Sequence, residues 1–232
     1  MFIAPRPQDP MVLSYLALRK AVGAVALALP FVLAIPYWLL ANHGLESSIS
    51  CYYYTGMRNL FVGCLCAIAM FMLCARGYDI KDEVAGVFSS LCALGVAFFP
   101  TTPDGLVTKR QYAVGTAHYI FAALLFLTLA YFCLVLFKMT AVGQPLTPQK
   151  MKRNRVYTVC GDAIVGSLAF IVLTKLLLKH TYLIGHLGTL FCFETTALIA
   201  FGIAWLTKGE TFLKDDVRAT SALERDTMVG LP

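Results

Sequence analysis

Apolar runs close to 20 residues recur along the chain, each broken by charges, prolines or a polar loop. They lie at about 19–41, 59–75, 84–100, 116–137, 157–178 and 187–207. A helix of about 20 apolar residues spans the ~30 Å hydrocarbon core of a bilayer. Helices are expected, because an open sheet in lipid would leave backbone groups unpaired. The pattern therefore predicts an all-α fold, a polytopic transmembrane bundle of six helices. Pro30 and Pro36 fall inside the first run and are expected to bend it. Tyr37 and Trp38 mark its far end as aromatic belt residues. The chain divides into an N-terminal segment (1–18), the six-helix domain (19–207) and a mixed-charge tail (208–232).

Composition agrees with this reading. Hydrophobic residues make up 59 % and charged residues 14 %, with a mean hydropathy of +0.72. A soluble chain carries about 25 % charged residues. Charge then sets the direction. Threading the six runs puts fourteen Lys and Arg on one side, in 6–20, 76–81, 138–155 and 208–225, and five on the other. The positive-inside rule places the richer side, with both termini, in the cytoplasm. The net charge of +6 then reflects topology and contact with anionic membrane lipids rather than nucleic acid. No cleavable signal peptide is expected, since Pro5, Pro7 and Pro10 precede Met11 and no small-residue cleavage site follows. The inner membrane of a bacterium is the expected location.

All four histidines, His43, His118, His180 and His186, thread to the side opposite the basic loops. The first loop on that side runs from His43 to Arg58 and holds Glu46, Ser47, Ser48, Ser50, Cys51 and three tyrosines, Tyr52 to Tyr54. It reads either as a wall over a polar pocket, with hydroxyls and Arg58 holding an anionic or hydroxylated group, or as an interfacial segment with tyrosines at headgroup level. Glu194 lies inside the sixth run. A carboxylate in lipid costs a few kcal/mol, so it must face the bundle and find a partner. His118, Arg58, Lys175 and a tyrosine hydroxyl are the candidates, and His118 is expected to approach it. Asp162, in the fifth run, reads as a structural group bonded to a hydroxyl or reaching towards Arg155, or as a station on an ion path.

Other chemistries have the residues but not the spacing. His118, His186 and Glu194 are candidate metal ligands, and zinc takes nitrogen and oxygen donors. No H-E-x-x-H or H-x-x-x-H pair supports them. Ser48 or Ser50 with His118 and Glu194 holds the inventory of a serine hydrolase, without a nucleophile-elbow motif. Of eight cysteines, only Cys51 lies in a loop on the histidine side, and no C-x-x-C pair occurs.

Ser48-Ile-Ser-Cys-Tyr-Tyr-Tyr-Thr55, Met57-Arg58, Phe61-Val-Gly63, Arg76-Gly-Tyr-Asp79, Phe99-Pro100, Asn154-Arg155-Val-Tyr157 and Trp205-Leu-Thr-Lys-Gly-Glu210 resemble a family of uncharacterised bacterial multi-pass membrane proteins. Ile49-Ser50 ahead of a Phe-rich second span is also similar to the six-helix membrane proteins related to the DRAM autophagy modulators. The Asp-x-Gly that follows Ile-Ser there is Cys51-Tyr52-Tyr53 here. These resemblances imply a fold and a topology, and no reaction or catalytic residue.

The function expected from the sequence is a membrane protein with an outward-facing polar pocket that binds, and in one version transports, a small ligand, an ion or a lipid headgroup. The pocket residues are His43, Glu46, Ser48, Ser50, Tyr53, Arg58, His118, His186 and Glu194. A metal-assisted membrane hydrolase cutting a lipid at the outer leaflet is the alternative. A structural or assembly subunit, using Lys150–Arg155 against lipid or a partner, is the third. Ligand and oligomeric state are not fixed by the residues.

Overall fold

The computed structural model describes residues 10–41, 44–74, 80–140, 147–177 and 188–213. Among these, every regular element is helical. The order is α1 (Pro10–Ala41), a 3₁₀ turn η1 (Ile49–Tyr54), α2 (Arg58–Cys74), α3 (Ile80–Phe98), α4 (Lys109–Leu134), a short 3₁₀ turn η2 (Leu136–Lys138), α5 (Pro148–Leu177) and α6 (Thr189–Lys208). Four helical stretches are long and apolar enough to cross a membrane: Leu16–Leu40, Lys109–Lys138, Pro148–Thr174 and Thr189–Lys208. The two remaining helices fall short for identifiable reasons. α2 has 17 residues, a rise of about 26 Å, and α3 opens on Lys81, Asp82 and Glu83.

Helix ends differ from the apolar runs because helices continue into polar sequence wherever a cap allows. α1 starts at Pro10, ahead of the run at 19, and passes through Pro30 and Pro36 without interruption. α4 starts at a capping box, with the Thr108 hydroxyl on the Gln111 amide and the Gln111 side chain on Thr108 N–H. α5 starts where Thr147 Oγ1 accepts the Lys150 N–H at 3.1 Å.

Each helix packs on its neighbours in sequence, and α1 closes on α6, so the six helices form a ring. Glycines set that closure. A Cβ on Gly23 would lie 2.8 Å from the Gly202 carbonyl oxygen, and one on Gly202 would lie 2.8 Å from that of Gly23. Such close backbone approach is how helices pack in lipid, where apolar burial gives little drive. At one end the ring is filled: Trp205 stands edge-on to Phe137 at 5.4 Å and contacts Phe132 at 5.7 Å, and Tyr157 lies 5.3 Å from Phe137. Lys150 Nζ caps this end by donating to the carbonyls of Phe137 at 2.9 Å and Met139 at 3.2 Å. Arg153 and Lys208 belong to the same end, which we call the basic end. At the other end, residues of the connections α1–α2 and α3–α4 border the space between the helices. The exposed aromatics Trp38 and Tyr112 ring this connector end.

All eight cysteines are free thiols. Asp162 is exposed on α5 rather than turned into the ring.

Candidate functional site

The site is built on η1. Ser48 caps it, its Oγ accepting the Cys51 N–H at 3.2 Å. Thr55 ties its far end, donating to Tyr52 O at 2.8 Å and accepting the Met57 N–H at 3.1 Å. Residues three apart share a face in a 3₁₀ turn, and this sorts the loop. Ile49 and Tyr52 point inward and are buried. Tyr52 is wedged between Tyr37 of α1 at 5.4 Å and Phe191 of α6 at 6.2 Å. Ser50 and Tyr53 share the next face, Cys51 and Tyr54 the third.

Two helices hold η1 by polar bonds, and a carbonyl just past α3 holds one of the two side chains that do so. From α6, the Glu194 carboxylate accepts the Ile49 N–H at 2.6 Å. The first turn of α6 leaves orphan N–H groups, and Ser47 O satisfies one of them, on Phe191, at 3.0 Å. From α4, His118 Nε2 lies 2.9 Å from Ser50 Oγ. From the end of α3, the Phe99 carbonyl lies 2.6 Å from His118 Nδ1. His118 is 1 % exposed. The α3–α4 connection is held the same way, with Tyr54 Oη donating to Thr101 O at 2.5 Å and Thr101 Oγ1 donating to Tyr119 Oη at 3.1 Å. Gly115 allows it to lie against α4, since a Cβ there would stand 2.7 Å from Thr102 N and overlap the Thr102 hydroxyl. Gly105, at φ +91°, takes the turn that L residues avoid.

These elements enclose a cavity of about 430 Å³ that all six helices line. Its connector end carries Ser47, Ser48, Ser50, Thr101, Thr102 and Asp104, with His118, Tyr119 and Glu194 one to three turns inside the helices. Below lie Leu29, Leu65, Ala122, Leu125, Phe126, Leu168 and Leu198. Leu29 stands twelve residues before the end of α1, a depth of about 18 Å. The polar groups of the wall therefore gather towards the connector end, where Ile49, Phe61 and Leu190 stand among them, and the deep end is hydrocarbon.

Of the residues expected at the site, Ser48, Ser50, His118 and Glu194 line this cavity. Glu46 lines a second, shallower cavity of about 580 Å³ with Tyr37, Tyr54, Thr55 and Asp104. Tyr53 and Arg58 line neither. Arg58 lies over the Tyr53 ring at 4.2 Å and donates to its hydroxyl at 2.5 Å. His43 and His186 lie outside the described residues, as does His180. Glu194 and His118, expected to approach each other directly or through one water, both reach the same turn. Each grips η1, at the consecutive residues Ile49 and Ser50, because a backbone amide offers the carboxylate a buried donor. No group of three His, Cys, Asp or Glu gathers among the described residues, and the metal reading therefore turns on His186. Both His118 nitrogens already lie at hydrogen-bond distance from oxygens.

Sequence reasoning missed Phe99, Thr101, Thr102, Asp104 and Tyr119. A signal existed: Thr101-Thr102-Pro103-Asp104-Gly105 is a polar turn that threads to the histidine side. Partial burial, reinforced by Tyr53, Cys51 and Tyr119 and opposed by Arg58, pushes the Tyr54 phenol above its ordinary value, which keeps it a donor.

No family model, curated protein or solved structure matches the chain.

Proposed function

We infer that this is a multi-pass protein of a bacterial inner membrane, with six spans and both termini in the cytoplasm, whose cavity opens outward and takes a single-chain amphiphile. The observation that carries this is the graded wall. A ligand-sized cavity of roughly 300–1,000 Å³ lined by apolar groups with a few convergent polar ones is the usual form of a small-molecule site. Here the polar groups sit at one end of about 430 Å³ and hydrocarbon at the other, which suits a headgroup above an acyl chain. The membrane supplies such ligands. The orientation is supported by the basic end, where Lys150, Arg153 and Lys208 gather opposite the cavity. The resemblance to bacterial multi-pass proteins is consistent with the location.

The test uses an ether-linked lysophospholipid, which resembles a membrane lipid fragment and resists hydrolysis. It should raise the thermal transition of the purified protein in a saturable way. Ala122→Trp, which fills the apolar part of the cavity, should weaken binding by at least about tenfold, roughly 1.4 kcal/mol, with the fold retained. Equal binding by wild type and Ala122→Trp refutes the reading.

A further inference from the structure

We propose that Ser50 and His118 are a nucleophile and its general base, and that the cavity hydrolyses acyl esters of the amphiphiles it takes. The inference rests on the amphiphile reading above. It begins with a proton. The Phe99 carbonyl can only accept, so the 2.6 Å contact requires a hydrogen on His118 Nδ1. In the neutral ring the lone pair is then on Nε2, and Nε2 is 2.9 Å from Ser50 Oγ. The serine hydroxyl is the donor in that bond. This is the arrangement by which a base activates a serine, with a third group fixing the base's tautomer and orientation. A carboxylate usually fills the third role. Here a backbone carbonyl fills it.

The neighbouring residues narrow the assignment. Ser48 Oγ is committed to capping η1 and to Cys51 Sγ at 3.2 Å, and Ser47 Oγ pairs with Cys51 Sγ at 3.3 Å. Of these three serines, Ser50 is the one that meets an imidazole. Glu194 acts as a positioning residue, holding Ile49 beside it. Ser50, His118, Thr102 and Tyr119 border one cavity, whose floor is apolar. An ester whose chain lies on Leu125, Phe126 and Leu168 has its carbonyl at the junction of hydrocarbon and hydroxyls. Thr102 and Tyr119 are hydroxyl-bearing residues of the same wall, where a developing oxyanion would need donors.

The chemistry balances without a cofactor. Ser50 Oγ attacks the carbonyl carbon while its proton passes to His118 Nε2, and the carbonyl pair moves onto oxygen. Collapse breaks the bond to the alcohol oxygen, which leaves with the proton from Nε2, and the acyl group stays on Ser50. Water then adds to the acyl carbon and gives a proton to Nε2. Collapse expels Ser50 Oγ, which takes that proton back as the carboxylic acid departs. The sum is ester plus water giving acid plus alcohol.

The experiment treats the full chain, in nanodiscs of phosphatidylethanolamine and phosphatidylglycerol, with a decyl fluorophosphonate and with 4-nitrophenyl decanoate. The expected adduct is on Ser50, located by peptide mass spectrometry. Ester turnover should fall at least about 100-fold in Ser50→Ala and in His118→Ala. His118→Gln, closer in volume, is run beside His118→Ala, and a retained thermal transition separates lost chemistry from lost fold. Ether lysophospholipid binding is followed in parallel. Binding with no Ser50 adduct, and with equal turnover in all variants, overturns the dyad and leaves the cavity reading standing. No binding by wild type overturns the cavity reading and the dyad with it.

Discussion

Glu194 holds Ile49 from across the bundle: its carboxylate accepts the Ile49 N–H at 2.6 Å. The residue that follows is Ser50. One bond from α6 therefore fixes the height and turn of the segment that meets His118. Glu194→Ala leaves a partly buried amide without its acceptor and should cost about 1–3 kcal/mol of stability. Glu194→Gln keeps an acceptor oxygen and should cost clearly less. Thermal unfolding of the two variants checks this, and equal losses would refute the account.

The sequence made the helices legible and only part of the site. Lipid imposes the strongest constraint on a chain, so the apolar run at 116–137 falls on α4 and η2, and that at 157–178 falls on α5 as far as the described residues reach. Their extensions were hidden because caps such as Thr108 and Thr147 act through local hydrogen bonds rather than hydropathy. The density of polar residues between His43 and Arg58 pointed to a loop with a role, and η1 lies in it. Its pairings were not readable. Depth along a helix suggested His118 for Glu194, and it says nothing of backbone donors such as the Ile49 N–H. Arg58 looked like an anion ligand because of its charge. It stacks on Tyr53, five residues away, a local contact that charge alone does not reveal.

The Gly23–Gly202 crossing should be the least tolerant point of the ring. A side chain at either position meets the opposing carbonyl at 2.8 Å, and backbone does not give way. Gly202→Ala should cost about 1–3 kcal/mol, as overpacking does. Gly63→Ala is the control, since nothing lies within 4 Å of a Cβ there. It should be neutral or slightly stabilising. Denaturation midpoints compared across the two variants decide, and a neutral Gly202→Ala would contradict the packing.

Orientation can be tested at positions chosen for space. Gly56 is exposed, and a Cβ there meets nothing within 4 Å. Thr140, at the basic end, is exposed as well. In a chain whose own accessible thiols are replaced by serine, Gly56→Cys should react with a membrane-impermeant maleimide in intact cells. Thr140→Cys should react only after permeabilisation. The reverse pattern would invert the topology and carry the cavity to the cytoplasmic side.

Tyr54 gives the site a limit at high pH. Its hydroxyl donates to Thr101 O at 2.5 Å, tying η1 to the connection that carries Thr101 and Thr102. Burial comes first among the causes that raise its pKa above the ordinary value, followed by Tyr53, Cys51 and Tyr119, while Arg58 opposes them. A raised pKa means that the fold favours the protonated phenol. Its contribution is therefore complete below the unfolded value of about 10 and is lost as pH climbs through the folded value. Tyr54 is 49 % exposed, so solvent screening keeps the effect modest. Tyr54→Phe should lower stability at neutral pH by about 0.5–1.5 kcal/mol, the worth of one hydrogen bond. It should also flatten part of the fall that the wild type shows above about pH 10. Exposed Tyr112 serves as the control, and Tyr112→Phe should leave both baseline and slope near wild type. Thermal unfolding between about pH 8 and 11 reads all three. Ether lysophospholipid binding should weaken in the same window, because a phenolate no longer donates to Thr101 and the wall carrying Thr102 separates from η1. If Tyr54→Phe keeps the wild-type slope, the tether does not control the alkaline limb, and another group must close the site.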